Sequence, residues 1–262
     1  MQIHLHMSST AFVKRLASND DKVRDQALES LRRFLGAKNL TKLLLLDHDK
    51  LWKGLFFAMW YCDKPIPQQN LAEDLGQLFS KVVFKSSVVP FYHAFWDIMI
   101  KEWPQVDKWR VDKFLLLIRR VVRHMFKFLS LQNWDLSLID SYLETIQDTV
   151  LLGLDKVPSA LPYHVIDLYL DELERVMFDI DGEEEEVNDE VELSNEEKQA
   201  IVAKVPVDTL ISPFKRLSTD AKMKTLRERS LEVVQDERLV EWGLKEAKHE
   251  DSNSDDEWQG FA

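Results

Sequence analysis

The chain has 262 residues, of which 45% are hydrophobic and only seven are glycine; it can bury one sizeable core but has few of the turns that strands need. Its net charge of −12 is uneven, since residues 1–178 hold 23 Lys+Arg against 22 Asp+Glu and the remaining 84 hold 11 against 24. Cys62 is the one cysteine, which excludes an internal disulfide framework and favours a reducing compartment, whereas the acidic total does not exclude nucleic acid, because local fields decide that.

In chain order, a first helix is expected over Ser9–Ala17, burying Phe12, Val13 and Leu16. Asn19 or Asp20 then caps a second helix with a stripe of Val23, Ala27, Leu31 and Phe34 or Leu35, leaving Arg24, Arg32 and Arg33 outside. Gly36 is expected to stop it in the left-handed conformation. His4 and His6 at the N-terminus are weak evidence for metal. A third helix opens at Asp47 or Asp49 and is apolar on nearly every face, which marks a helix buried between neighbours. Pro65 and Pro67 break the chain, and the next helix turns Leu71, Leu75, Leu78 and Phe79 inward. Pro90 is read into the first turn of a helix carrying Phe91, Phe95, Trp96, Met99 and Trp103, which Pro104 stops.

A long helix then opens near Val106. On a wheel centred at Ile118, the residues Val111, Phe114, Leu115, Val122, Met125 and Leu129 share one face. Lys113, Arg120, Arg123 and Lys127 fall opposite, with Trp109 among them. An outward basic face of this kind meets water, carboxylates or phosphates. Arginine suits bidentate contacts, and an exposed indole anchors a partner or stacks on a base. The bland alternative is a solvated face with internal salt bridges. After a turn at Asn133 comes a clean stripe of Ile139, Tyr142, Leu143, Ile146, Val150 and Leu154. Pro158 and Pro162 introduce a further helix.

The pattern reads as an all-α, HEAT- or armadillo-like stack of degenerate helix pairs, with a compact irregular bundle as the alternative. The expected organisation is a helical body at 8–178, an acidic linker at 179–193, a helical extension at 194–245 and a disordered acidic tail at 246–262. Residues 181–192, DGEEEEVNDEVE, are strongly acidic and could cover the basic face. Ser194 and Glu197 have capping-box spacing, so a helix restarts there. Ile201, Val202, Val205, Leu210, Ile211, Phe214 and Leu217 would bind back onto the body, and another helix is expected from Asp220 to about Leu244. Trp258 and Phe261 are isolated in the tail.

No phosphate-cradling, zinc-protease or nucleophile-elbow motif is present. Asp47-His48-Asp49 reads as helix capping ahead of a metal triplet, and His164 with Asp167 and Asp171 reads as surface hydrogen bonding. Trp52, Trp60, Trp96 and Trp103 read as core rather than a ligand pocket. No catalytic residue, metal site or cofactor is expected, although plentiful acids leave a Mg²⁺-dependent nuclease formally open.

Three blocks carry a resemblance: LWKGLFFAMWYCDKPIPQQNLAEDLG, FWDIMIKEWPQVDKWRVDKFLLLIRR and LPYHVIDLYLDEL. They resemble the eukaryotic ribosomal-RNA-processing protein 1 family, with coverage from about Phe12 to Met177 and weaker similarity to about Leu217. The resemblance implies a nuclear, nucleolar, non-catalytic assembly factor for the large ribosomal subunit, needed for processing of the internal spacer RNA. It implies other assembly factors and pre-rRNA in early pre-ribosomal particles as partners, with no membrane. Members of the family usually continue into a longer basic tail, whereas this chain ends acidic at Ala262. A general helical-repeat adaptor with no RNA contact is the alternative reading.

Overall fold

The computed structural model describes residues 9–36 apart from 17 and 19, residues 45–180, and residues 193–245. Every regular element among them is helical. The N-terminal histidines, the segment 181–192 and the tail with Trp258 and Phe261 lie outside the described residues.

Helices α1 (Ser9–Leu16), α3 (Leu45–Tyr61), α5 (Lys85–Glu102) and α7 (Leu136–Asp148) pack each against the next, and form one layer. The other layer contains α2 (Asp21–Leu35), α4 (Pro65–Gln77), α6 (Val111–Leu131) and α8 (Ala160–Met177). There α6 lies between α4 and α8, and α2 meets the π-helical turn Leu78–Val82 that ends α4. Packing of helices two apart in the chain is what a stack of helix pairs produces. Trp52 and Trp96 lie inside, and Trp60 and Trp103 are half-buried against the core, in keeping with their helical spacing. Trp52 is 1% exposed, packs against Phe79, Phe91 and Phe95, and donates its indole N–H to the Phe91 carbonyl at 2.9 Å.

The chain then continues through α9 (Asn195–Val202), α10 (Val207–Leu210), α11 (Ser212–Asp220), α12 (Lys224–Gln235) and α13 (Arg238–Glu241). The α9 N-terminus closes with a capping box between Ser194 and Glu197. α12 packs on α8. Phe214 meets Tyr169 edge-on at 4.7 Å, and the Tyr169 hydroxyl donates to the Leu210 carbonyl at 2.9 Å. Arg238 donates to Asp171 at 3.0 Å and to Glu174 at 3.2 Å, and so pins the last turn to α8.

Several local expectations are corrected. Gly36 ends α2 at φ −79°, in the right-handed region, so no left-handed stop forms there. α3 starts at Leu45, so Asp47 and Asp49 lie inside the helix rather than capping it. Pro90 lies inside α5, because that helix starts five residues earlier at Lys85. The long helix begins at Val111, preceded by a 3-10 turn at Trp103–Gln105. The helix expected over 220–244 is split at Asp236 into α12 and α13. Arg24 is buried, donating to the Ser18 carbonyl at 2.5 Å and pairing with Asp21.

Candidate functional site

The expected outward basic face of α6 is corrected by the geometry. Lys113, Arg120 and Arg123 are 4%, 8% and 9% exposed. The cause is the position of α6 in the middle of its layer. Its apolar stripe faces the core, and its polar stripe faces the seams with α4 and α8, which both supply carboxylates.

On the α8 side, Glu172 is fully buried. It accepts from Arg123 Nε at 2.5 Å, from the same guanidinium's second nitrogen at 3.1 Å, and from Arg119 at 3.0 Å. Such a bidentate pair matches the planar guanidinium fork. On the α4 side, Glu73 lies 3.6 Å from Arg120 Nε and accepts from His124 Nε2 at 2.8 Å. The other His124 nitrogen meets the Ser80 hydroxyl at 2.8 Å. The His124 hydrogen bond, helped by Gln77 and by the charges of His124 and Arg120, outweighs burial and holds the Glu73 carboxyl down at about 2.

The first of these cations has a different task. Lys113 Nζ donates to the Trp60 and Cys62 carbonyls at 2.7 and 2.9 Å and to Asp63 at 3.1 Å. It thereby satisfies carbonyls at the C-terminus of α3, the end of a helix that favours a cation. Burial nonetheless lowers its pKa, with the Asp63 contact opposing. Lys127 is half-buried and engaged by a neighbour.

Trp109 is the member of the set that stands outside, at 82% exposure. The short segment before α6 holds it there. Asp107 accepts the Trp109 backbone N–H at 3.0 Å and also pairs with Arg110. The Arg110 guanidinium lies over the Trp60 ring at 4.7 Å, which anchors the segment to α3. Lys108 Nζ lies 4.8 Å from the Trp109 ring centre, so a cation and an indole are presented together. On α3, half-buried Phe57 and exposed Tyr61 stack at 6.4 Å, with Phe57 6.3 Å from the Trp60 ring.

Of the remaining polar candidates, His164, Asp167 and Asp171 have structural partners. His164 donates through Nε2 to the Leu115 carbonyl at 2.9 Å, and burial lowers its pKa. Asp167 pairs with Arg229, and Asp171 with Arg238. His48 is buried edge-on against Phe91. Cys62 is buried and its thiol pKa is raised by burial, the opposite of what a reactive thiol needs. No group of three or more metal-ligating side chains converges among the described residues.

Of the two carboxylates that cover α6, the sequence marks one and not the other. Glu172 carried a usable signal, because it sits in the stripe of Leu168, Tyr169 and Leu173, all buried. An acid on an apolar face requires a buried cation. Glu73 gave no such signal, being half-buried on a helix whose neighbouring side chains are mixed.

Together these features define an all-helical stack of paired helices with a braced polar seam inside and a cation-flanked indole outside. The chain belongs to the nucleolar protein family Nop52, whose model matches residues 7–260. It is similar to ribosomal RNA processing protein 1 homolog B of Homo sapiens, at 36% identity over 168 residues, which is 63% of this chain and 22% of that protein. It is also 34% identical over 166 residues to the human homolog A, covering 62% of this chain and 36% of the relative. The homolog of Caenorhabditis elegans is 33% identical over 175 residues, covering 66% of this chain and 44% of the relative. In each case the match spans less than half of the relative's length.

Proposed function

We propose that this chain is a stoichiometric scaffold of ribosome biogenesis, acting in pre-rRNA processing and maturation of the large subunit without chemistry of its own. The observation that carries this reading is the family match across nearly the whole chain, joined to relatives named for ribosomal RNA processing. The architecture supports it. A braced helical stack holds partners in one geometry, and exposed Trp109, with Lys108 beside it, provides an anchor of a residue type enriched at binding hot spots. Its partners would be other assembly factors and pre-rRNA within the pre-ribosome.

The test is replacement of the cellular protein by Trp109→Ala combined with Lys108→Ala. The expected result is loss of co-sedimentation with pre-ribosomal particles and accumulation of spacer-containing precursor RNA. Normal association and normal precursors in the double variant would remove this surface from the account. Normal precursors after depletion of the whole protein would remove the function itself. If association survives ribonuclease treatment of the particles, the contact at Trp109 is to protein.

A further inference from the structure

A second surface lies where α2, the end of α4 and the start of α5 meet, and uses none of these residues. The C-terminal end of α2, the π-helical turn after α4 and the first residue of α5 enclose an open cleft of about 650 Å³. Arg32, Arg33, Lys81 and Lys85 line it, and among the described residues no carboxylate does. Phe84, 40% exposed, stands at its wall.

We propose that this cleft binds the sugar–phosphate backbone of single-stranded RNA, with Phe84 as a platform for one base. The proposal rests on the pre-rRNA reading above and names where the RNA is held directly. Four cations around one concavity, two of them paired with carboxylates, leave a net positive charge there even in a chain whose total charge is negative. The two arginines are held in place by Asp74 at 2.6 Å and Glu29 at 3.1 Å. A guanidinium with one edge so engaged keeps other N–H donors for a phosphate. Lys81 and Lys85 are exposed, and neither has a carboxylate within ion-pair distance among the described residues. Asp135 feels the Lys85 charge, but its carboxylate is committed to the start of α7, accepting from Leu138 N–H at 3.1 Å and Ser137 hydroxyl at 2.6 Å.

The local backbone agrees with an anionic ligand. Phe84 occupies the N-cap of α5, where a serine or aspartate ordinarily accepts a backbone N–H, and no side chain closes that end. The chain places there an aromatic ring, which cannot cap the helix but can stack on a base. The π turn contributes as well, since such turns re-aim side chains and recur at functional sites, and Lys81 is carried on it. An acidic protein segment would match the charge and could also pack on the ring, so RNA is favoured over it by the pre-rRNA reading on which the proposal rests.

The test uses the purified full chain and a fluorescein-labelled oligouridylate of about 12 nucleotides, titrated by anisotropy at several salt concentrations. Lys81→Ala with Lys85→Ala should weaken binding roughly tenfold, and the slope of log K against log salt should fall by about 1.4, or 0.7 for each single-strand phosphate no longer neutralised. Phe84→Ala should weaken binding with the salt slope unchanged. The control is Lys204→Ala with Lys224→Ala, which removes equal charge elsewhere and should leave binding intact. Matching thermal melts establish that each variant is folded. Unchanged affinity in the Lys81/Lys85 variant, or an equal loss in the control, overturns the proposal. So does a polyglutamate peptide that outcompetes the RNA, which would make the cleft an acidic-protein site. Because no particle is present in this assay, its failure leaves the assembly role standing, and failure of the replacement experiment leaves the cleft standing.

Discussion

Arg123 and Glu172 face each other across the α6–α8 seam, 2.5 Å apart, with the carboxylate fully buried and the arginine 9% exposed. A buried pair of this kind adds little over well-packed apolar residues, but losing one partner leaves a charge stranded away from water. Here two guanidiniums, those of Arg119 and Arg123, depend on one acid. Glu172→Ala should therefore lower the unfolding free energy by about 3–5 kcal/mol, read as a shift of the urea midpoint. The double change Arg123→Met with Glu172→Leu should recover a large part of that loss. A single variant within experimental error of the parent would show that the seam is not closed in solution.

Gly76 offers a test with an unusual sign. A Cβ at this position would lie 2.5 Å from His124 Cδ2 and 2.9 Å from the Arg120 carbonyl oxygen, because α4 rests directly on the backbone of α6. In an exposed helix, Gly→Ala stabilises by about 1 kcal/mol. In this contact the overlap should dominate, giving a net loss of about 1–3 kcal/mol. Calorimetry of Gly76→Ala checks it, and a raised Tm would place the two helices farther apart than described.

The Glu73 carboxyl carries a pH signature. Its folded pKa of about 2 lies below the ordinary 4.5, chiefly because His124 donates to it. A depressed carboxylate pKa contributes stability that is complete above the unfolded value and is lost as pH falls through the folded one. Its contribution should thus be present above about pH 4.5 and fade toward about pH 2. The carboxylate is 37% exposed, so solvent screening keeps the amplitude small. The difference in Tm between the parent and Glu73→Gln, followed from pH 6 to pH 2, should shrink as the acid limb is reached. A difference that stays constant through this range would contradict the His124 contact.

Two indoles separate structure from recognition. Trp52, 1% exposed among three phenylalanines, should cost about 3–5 kcal/mol when cut to alanine. Trp109, 82% exposed, should change chemical stability by less than about 0.5 kcal/mol. Guanidinium unfolding of the two variants side by side measures both. A large loss for Trp109→Ala would mean that its ring is packed against the chain's own surface.

Much of the fold is legible in local pattern. The all-round apolar character of α3 announces a helix enclosed by others, and the Ser194–Glu197 spacing marks the start of α9. The destination of the α6 charges cannot be read in the same way. A helical wheel fixes directions about one axis and says nothing of what arrives from 49 to 53 residues away, which is the separation of Glu172 from Arg123 and Arg119. The wheel also turns Trp109 outward, where it does stand, but for a different reason: it precedes the helix, and an Asp107 turn holds it out. The basic cleft escapes because its cations come from α2, the π turn and α5, each of which reads alone as an ordinary charged surface. Pro90 misleads in the usual direction, since a proline inside a helix is rarer than one that begins it.

The layered packing also orders the events of folding. Helices that meet are mostly two apart along the chain, so each newly synthesised pair finds a docking surface already built. α6 too can dock on α4, but its charges have to wait. While it emerges, Arg119 and Arg123 must stay hydrated, because the carboxylate that admits them to the interior lies 53 and 49 residues further on and has yet to be made. The arrival of Glu172 is therefore the step at which the middle of the stack can dry and lock.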